Sequence, residues 1–486
     1  MASKEALVCL DDYEKYAKDH MEQKLLGYFI EGTDAEITLK ENRTAFSRLK
    51  ILPRILKDVS NVDLSTSILG QHLDFPVCIA PSAFHKLVSP GGELDTANAA
   101  NAMGTCMVLS NLTTTSLEKV ASLYHDSLKW FQLYIWECRE FTVNLIRRAE
   151  TAGFKSLVVT VDSSVKGNRR GPRFTFPPNI EAVHLPQGFK VRSGRSPCSL
   201  ADPTLTWEFI AWMRSVTKLP IVLKGILSPE DALLAVEHKV DAIIVSNHGG
   251  RQLDTVPATI EMLPHIIAAV RGRIEVYVDG GVRTGTDVFK ALAMGARAVF
   301  IGRPIIYGLK YAGEDGVKQV LQILKDELMR TMALSESMDV IPPRAYVDIF
   351  DYPCMLFKTS FKAQRIHEWG SKTVHASGWC VVRFKMASTE ALVCLDDYEK
   401  YAKDHMEQKL LGYFIEGTDA EITLKENSTA FSRLKILPRV LKDVSNVDLS
   451  TSILGQHLDF PVCIAPSAFH KLVSPGGELD TANGKR

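Results

Sequence analysis

Eight short apolar runs recur along the chain: P-V-C-I-A-P (76–81), M-V-L-S (107–110), W-F-Q-L-Y (130–134), S-L-V-V-T-V-D (156–162), P-I-V-L-K-G (220–225), A-I-I-V-S-N (242–247), I-E-V-Y-V-D-G (274–280) and A-V-F-I-G-R (298–303). Amphipathic segments such as 141–154 and 229–238 separate most of them. The runs lack polar alternation, as expected of strands whose parallel sheet is covered by helices on both faces. Eight strands, each followed by a helix, predict an α/β chain closed into a (β/α)8 TIM barrel. The amphipathic stretch 317–328 supplies the eighth helix. An open doubly wound sheet is the rival, but no G-x-G-x-x-G follows the first run.

The residues before 76 read as a helical extension laid over the barrel, with Asp11 and Glu14 spaced as a capping box. Residues 163–206 break the rhythm with six prolines and four glycines, which predicts a long insertion after strand four on the face where lids and binding loops occur. Residues 336–385 lack periodicity and read as an irregular linker.

Residues 386–483 then repeat residues 1–98, differing only at Lys4/Thr389, Arg43/Ser428 and Ile55/Val440. The expected domains are therefore a barrel over 1–335, the linker, and an orphan C-terminal partial repeat over 386–486. The pattern reads as the start of a tandem duplicate joined to a complete barrel across translated non-coding sequence, so 336–385 is expected to be protease-sensitive. The repeat carries Tyr413, the copy of Tyr28, and one strand-like run, 461–466, that competes for the slot of 76–81. The first copy is expected to hold it through its short connection to strand two.

Lys+Arg and Asp+Glu balance at 57 each, so nothing favours nucleic acid or an anionic membrane. The nine cysteines are dispersed without a C-x-x-C pair, which reads as reduced intracellular thiols, with no metal site. No apolar run approaches the ~20 residues of a membrane span.

Active sites of parallel barrels lie at the C-terminal strand ends. Here those ends carry Ala80 and Pro81, Ser110, Gln132 and Tyr134, Thr160 and Asp162, Lys224, Ser246 and His248, Asp279, and Gly302 with Arg303. The turns D-G-G-V-R-T-G-T-D (279–287) and I-G-R-P (301–304) fit a phosphate cradle after strands seven and eight. Either alone fits a tight turn with a solvated arginine equally well. His248 alone reads as a structural histidine and Arg251 as a surface charge. Together in S-N-H-G-G-R-Q they offer a general base beside a bidentate carboxylate clamp. Asp162 is placed to steady the imidazole, and Lys224 to support an electron-accepting ring.

S-N-H-G-G-R-Q-L-D, with E-N-R-T-A-F-S-R, I-A-P-S-A-F, F-Q-L-Y, V-L-K-G-I, D-G-G-V-R-T-G-T-D-V and V-F-I-G-R-P, resembles the FMN-dependent α-hydroxy-acid oxidases and dehydrogenases, the glycolate oxidase family, over residues 8 to 335. The resemblance implies an (S)-2-hydroxy-acid oxidase that passes an electron pair through FMN to O2, giving H2O2 and a 2-oxo acid. It implies His248 as base and Asp162 as its stabiliser. Arg169, Arg251 and Tyr28 would hold the substrate carboxylate, and Tyr134 its hydroxyl. Lys224 would face the flavin. Pro81, Ser82 and Ala83 would flank the flavin ring, and Ser110, Gln132, Thr160 and Ser246 would hydrogen-bond it. Asp279, Gly281, Arg283, Gly302 and Arg303 would hold the ribityl phosphate.

Three departures qualify the resemblance. Leu112 stands where glycolate-specific members carry Trp, which implies a wider pocket and the long-chain 2-hydroxy-acid oxidase subgroup. The loop after Arg170 is about four residues shorter than the family's usual pattern, which bears on the placement of Arg169. The family's C-terminal segment is absent after 332–335, and the chain ends G-K-R rather than S-K-L. A peroxisomal setting and a homotetramer are thus implied by resemblance alone. Two alternatives stand beside the oxidase: a dehydrogenase using another acceptor, and an inactive fusion polypeptide.

Overall fold

The computed structural model describes residues 7–124, 127–171, 174–177, 180–185, 201–335, 347–349, 392–417 and 421–483. They divide into two units, Met1–Phe357 with Leu434–Ser445, and Lys358–Arg433 with Asn446–Arg486.

The first unit is built on eight parallel strands: β1 (Val77–Ile79), β2 (Met107–Leu109), β3 (Lys129–Leu133), β4 (Leu157–Thr160), β5 (Ile221–Ile226), β6 (Ala242–Val245), β7 (Glu275–Asp279) and β8 (Val299–Ile301). They pair in chain order, and β8 closes the ring on β1 with Val299 opposite Val77 and Ile301 opposite Ile79. The predicted closed barrel is therefore the fold. Cys78, Val108, Trp130, Val158, Val222, Ile244, Tyr277 and Phe300 fill its interior with Ile68 and Leu73 of a hairpin. Their neighbours Val77, Ile79, Leu109, Phe131, Leu157, Val159, Leu223, Val245 and Val299 face the helices. Both strand faces are dry, which is why the runs carry no polar alternation. Trp130 lies 5.8 Å from the Tyr277 ring and 5.9 Å from that of Phe300. Truncating it to alanine would cost about 3–5 kcal/mol.

Helices α1 (Leu10–His20), α2 (Gln23–Ile30) and α3 (Ile37–Arg48) precede the barrel. Around it run α4 (Glu93–Ala102), α5 (Leu117–Ala121), α6 (Arg139–Thr151), α7 (Phe209–Val216), α8 (Pro229–Glu237), α9 (Thr259–Val270), α10 (Gly285–Ala293) and α11 (Arg303–Ser335). The eighth helix is longer than 317–328 because two helices join across a kink at Ala312 and Gly313 (φ +59°). The capping of α1 also differs from the Asp11–Glu14 expectation. Asp12 accepts from the Val8 and Cys9 N–H groups, at 2.9 and 3.1 Å. Asp11 and Glu14 instead pair with Arg43.

Residues 336–385 are not irregular throughout: Val347–Ile349 pairs antiparallel with Leu49–Ile51. Otherwise that segment, its expected protease sensitivity, and 186–200 of the insertion lie outside the described residues.

In the second unit, α12 (Leu395–His405), α13 (Gln408–Ile415), α14 (Ile422–Arg433) and the hairpin Thr451–Ile453/Gln456–Leu458 reproduce the elements of the first copy. Residues 461–466 form no strand there, and Val462 and Ile464 are exposed. The strand-one slot belongs to 77–79, as expected.

Candidate active site

The loop after β6 explains its own composition. His248, Gly249 and Gly250 all have positive φ, at +57°, +63° and +73°. A Cβ on Gly250 would lie 2.7 Å from the Leu39 backbone, and one on Gly249 2.9 Å from the Arg303 guanidinium. The two glycines thus permit close approach of α3 and of Arg303. His248 occupies a conformation that side chains rarely adopt, a mark of functional loops.

His248 Nδ1 lies 2.9 Å from Asp162 Oδ1, at the end of β4, and 3.3 Å from Ser163 Oγ. Burial holds the His248 pKa below the ordinary histidine value. Asp162 opposes that shift, while Lys224 and Arg251 add to it. Burial would raise Asp162, but the charge and hydrogen bond of His248, with Lys224 and Ser163, carry it below the ordinary carboxylate value. The pair thus joins a neutral-leaning imidazole to a firmly ionised carboxylate, the arrangement of an oriented general base.

Beside it, Lys224 on β5 donates to Ser246 Oγ at 3.0 Å and pairs with Asp279 at 3.2 Å, both ends buried. Gly225, φ +115°, sits at the irregularity in β5 that follows Lys224. Its missing Cβ would lie 2.7 Å from Asp162. Ser110 donates to Gln132 Oε1 at 3.2 Å, and Gln132 Nε2 donates to Thr160 at 3.1 Å, linking β2, β3 and β4 along one rim.

The arginines gather at the end of α2. Arg251 donates to the carbonyls of Tyr28 (2.9 Å), Phe29 (3.1 Å) and Glu31 (3.0 Å), with its guanidinium 5.9 Å from the Tyr28 ring. Arg303 reaches the carbonyls of Phe29, Glu31 and Gly249. Arg169 donates to Thr33 Oγ1 at 2.7 Å. Arg283 turns toward Glu14 at 3.4 Å. In this structure Arg283 and Arg303 are thus engaged with protein groups, although both were assigned to the phosphate by resemblance. Tyr134 is buried with Phe84, Leu112 and Trp136. Tyr28, Phe84, Phe174 and Phe176 form a connected aromatic wall, with ring separations of 4.6 to 6.1 Å.

Several contributors escape the sequence reading. Asn42 and Asn247 exchange two side-chain hydrogen bonds of 2.8 Å, locking α3 to the His248 loop. Gln252 donates to the carbonyls of Asp162 (2.7 Å) and Val165 (2.9 Å), tying that loop to the strand carrying Asp162. All three lie inside the quoted motifs, but nothing there marks which residues they would bond. Glu31 lies outside them: burial and Glu36 raise its pKa, opposed by Arg169 and Arg251.

Asp279 Oδ1 is buried without a hydrogen-bond partner, and unsatisfied buried oxygens are rare unless a ligand completes them. Gly280 and Gly281, at φ +94° and +84°, bring the turn after β7 onto α3, where a Cβ on Gly281 would meet the Asn42 carbonyl at 1.8 Å. Pro81, Ser82 and Ala83 follow β1, and a Cβ on Gly302 would lie 3.7 Å from Ser82 Oγ. A polar rim, a buried cation and glycine turns after β7 and β8 fit a phosphorylated planar cofactor such as FMN.

Comparison with known proteins agrees. Residues 17–340 and 402–486 match the FMN-dependent dehydrogenase family. The chain is 47% identical to 2-hydroxyacid oxidase 1 of Mus musculus over 348 residues, covering 69% of this chain and 94% of that protein. It is 47% identical to glycolate oxidase of Spinacia oleracea over 337 residues, covering 67% and 91%. Among solved structures, a mandelate oxidase with benzoyl-formic acid superposes with a TM-score of 0.65 at 38% identity, covering 71% of this chain and 98% of that one. The chain belongs to the FMN-dependent dehydrogenase family, an oxidoreductase whose cofactor is FMN.

Proposed function

We propose that the chain oxidises (S)-2-hydroxy acids of medium to long chain to 2-oxo acids and reduces O2 to H2O2. The observation that carries this reading is the His248–Asp162 pair, 2.9 Å apart on a rim crowded with cations. Arg251 and Arg169 hold the substrate carboxylate, a planar anion suited to guanidinium forks, with Tyr28 beside them, which requires Arg251 to exchange the carbonyls at the end of α2, and Arg169 the Thr33 hydroxyl, for the substrate. Tyr134 bonds the substrate hydroxyl. His248 takes a proton from the substrate, and the ionised Asp162 stabilises the imidazolium that results. FMN, when bound, would supply the two-electron acceptor that O2 reoxidises. Lys224 would offset negative charge on that cofactor, and Ser110, Gln132, Thr160 and Ser246 would orient it. Asp279, Gly281, Arg283, Gly302 and Arg303 would hold its ribityl phosphate, with Arg283 and Arg303 exchanging protein acceptors for phosphate.

The long-chain preference is supported by Leu112, which packs with Phe84, Tyr134 and Trp136 where a bulkier side chain would narrow the apolar space. A peroxisomal setting accords with an H2O2-releasing reaction and is checked by imaging the tagged chain in cells. The test of the function is product stoichiometry: straight-chain 2-hydroxy acids of increasing length should yield equal amounts of 2-oxo acid and H2O2, with kcat/KM rising from short to long. Oxo acid without H2O2 would favour the dehydrogenase. Decline with length would reject the chain-length preference.

A further inference from the structure

Residues 434–445 repeat the sequence of 49–60 except at Ile55/Val440, yet the two copies are held by different partners. In the first, Leu49–Ile51 pairs with Val347–Ile349, and Arg54 N donates to the Ser335 carbonyl at 3.2 Å. The second lies as a strap in a groove of the first unit. There Val440 and Leu441 are 6% and 5% exposed and join the barrel's hydrophobic core.

The anchors of the strap fall on elements that leave the rim of the site. Ile436 N donates to the Thr255 carbonyl at 3.0 Å, in the loop after β6 that carries His248. Arg439 Nε donates to Asp231 Oδ1 at 2.8 Å, and Val440 N to Oδ2 at 3.1 Å. Asp231 stands in the first turn of α8, which follows the strand of Lys224. Its side chain is fully buried, and a buried carboxylate requires a cation, which Arg439 supplies. Val444 N donates to the Pro203 carbonyl at 2.9 Å, where the insertion after β4 returns to the barrel. One strap thus ties together the connections after β4, β5 and β6, the strands that bring Asp162, Lys224 and His248 to the rim. Arg439, Leu441 and Lys442 also wall a cavity of about 410 Å3 whose opposite side includes Val161, Asp162 and Ser164. Without that wall, water would reach the back of Asp162 and weaken its coupling to His248.

We propose that the strap 434–445, supplied by the repeat, is a positioning element for the His248–Asp162 pair. It fixes the loops that carry the two side chains and keeps water from the far side of Asp162, so the repeat is part of the working barrel. This inference rests on the reading of His248 as the base.

The test uses the FMN-loaded full chain. R439M removes the cation from Asp231, and L441A thins the apolar wall while leaving the ion pair in place. Each should lower kcat by ~10-fold or more, with flavin retained and KM changed less than about twofold, and R439K should recover most of the loss. In a D162N background the same substitutions should change kcat by less than about twofold, because the coupling that the strap preserves is already gone. Equal losses with and without D162N, or unchanged kcat in both variants, would overturn the proposal. A second readout needs no turnover and so separates this inference from the reading of the site. In the FMN-free chain, amides of 157–165 and 246–256 should exchange ~10-fold faster in R439M and L441A, while β1 and β2 keep their wild-type rates. Wild-type exchange in both loops, or faster exchange throughout the barrel, would overturn the proposal even if the chain turns over no 2-hydroxy acid.

Discussion

His248 and Asp162 meet across the barrel rim at 2.9 Å, each leaving a different strand end, and their electrostatics are opposed in a productive way. Burial holds the His248 pKa below the ordinary histidine value, and His248 helps carry that of Asp162 below the ordinary carboxylate value. In the proposed reaction the imidazole takes the proton and the carboxylate stabilises the resulting charge.

The pH dependence follows from those directions. A base works when neutral, so kcat/KM rises with pH through the His248 pKa and then levels. Because that pKa is lowered from 6.5, the acid limb should lie below pH 6.5. D162N removes the one influence raising it, so the limb should move further toward acid, while kcat falls by roughly 10²–10⁴. A limb moving toward higher pH would contradict the pairing.

Lys224 and Asp279 form a buried ion pair, and severing one leaves the other uncompensated. K224M should destabilise the FMN-free chain by about 3–5 kcal/mol in urea unfolding. K224M/D279N should recover a substantial part of that loss. A double variant as unstable as the single would show that the lysine acts independently of Asp279.

Gly281 has no room for a methyl group, since its Cβ would stand 1.8 Å from the Asn42 carbonyl at φ +84°. G281A should therefore displace the turn after β7 and purify without flavin absorbance. A G281A chain retaining full flavin content would remove that turn from the cofactor site.

Leu112 sets the apolar space beside Tyr134. L112W should shift the ratio of kcat/KM values for long over short 2-hydroxy acids downward by about 10–200-fold, the range expected for hydrophobic pocket discrimination. Overpacking should cost about 1–3 kcal/mol of stability. An unchanged ratio would place substrate discrimination elsewhere.

The strands were legible because both faces of each are buried, and every one of the eight runs holds a barrel strand. The strand-end polar residues were legible for the same reason, since a Lys or Asp interrupting such a run has few other uses. What could not be read was partnership. Asn42 and Asn247 stand 205 positions apart, and nothing in either motif announces their reciprocal bonds. The twofold engagement of Arg251 and Arg303 at the end of α2 depends on how α2 enters, which periodicity does not record. The strap is the limiting case: one near-identical sequence is exposed at 55–56 and buried at 440–441, so no local reading distinguishes them.

The central claim is that His248, steadied by Asp162, draws a proton from a 2-hydroxy acid held beside FMN. The most direct measurement is the visible spectrum of the flavin-loaded 486-residue chain, mixed anaerobically with a long-chain 2-hydroxy acid, compared with H248Q. Wild-type absorbance should bleach and return with air as H2O2 is released, while H248Q keeps its flavin and bleaches at least ~10²-fold more slowly. Wild-type flavin that never bleaches, or an H248Q chain that bleaches at the wild-type rate, would contradict the account.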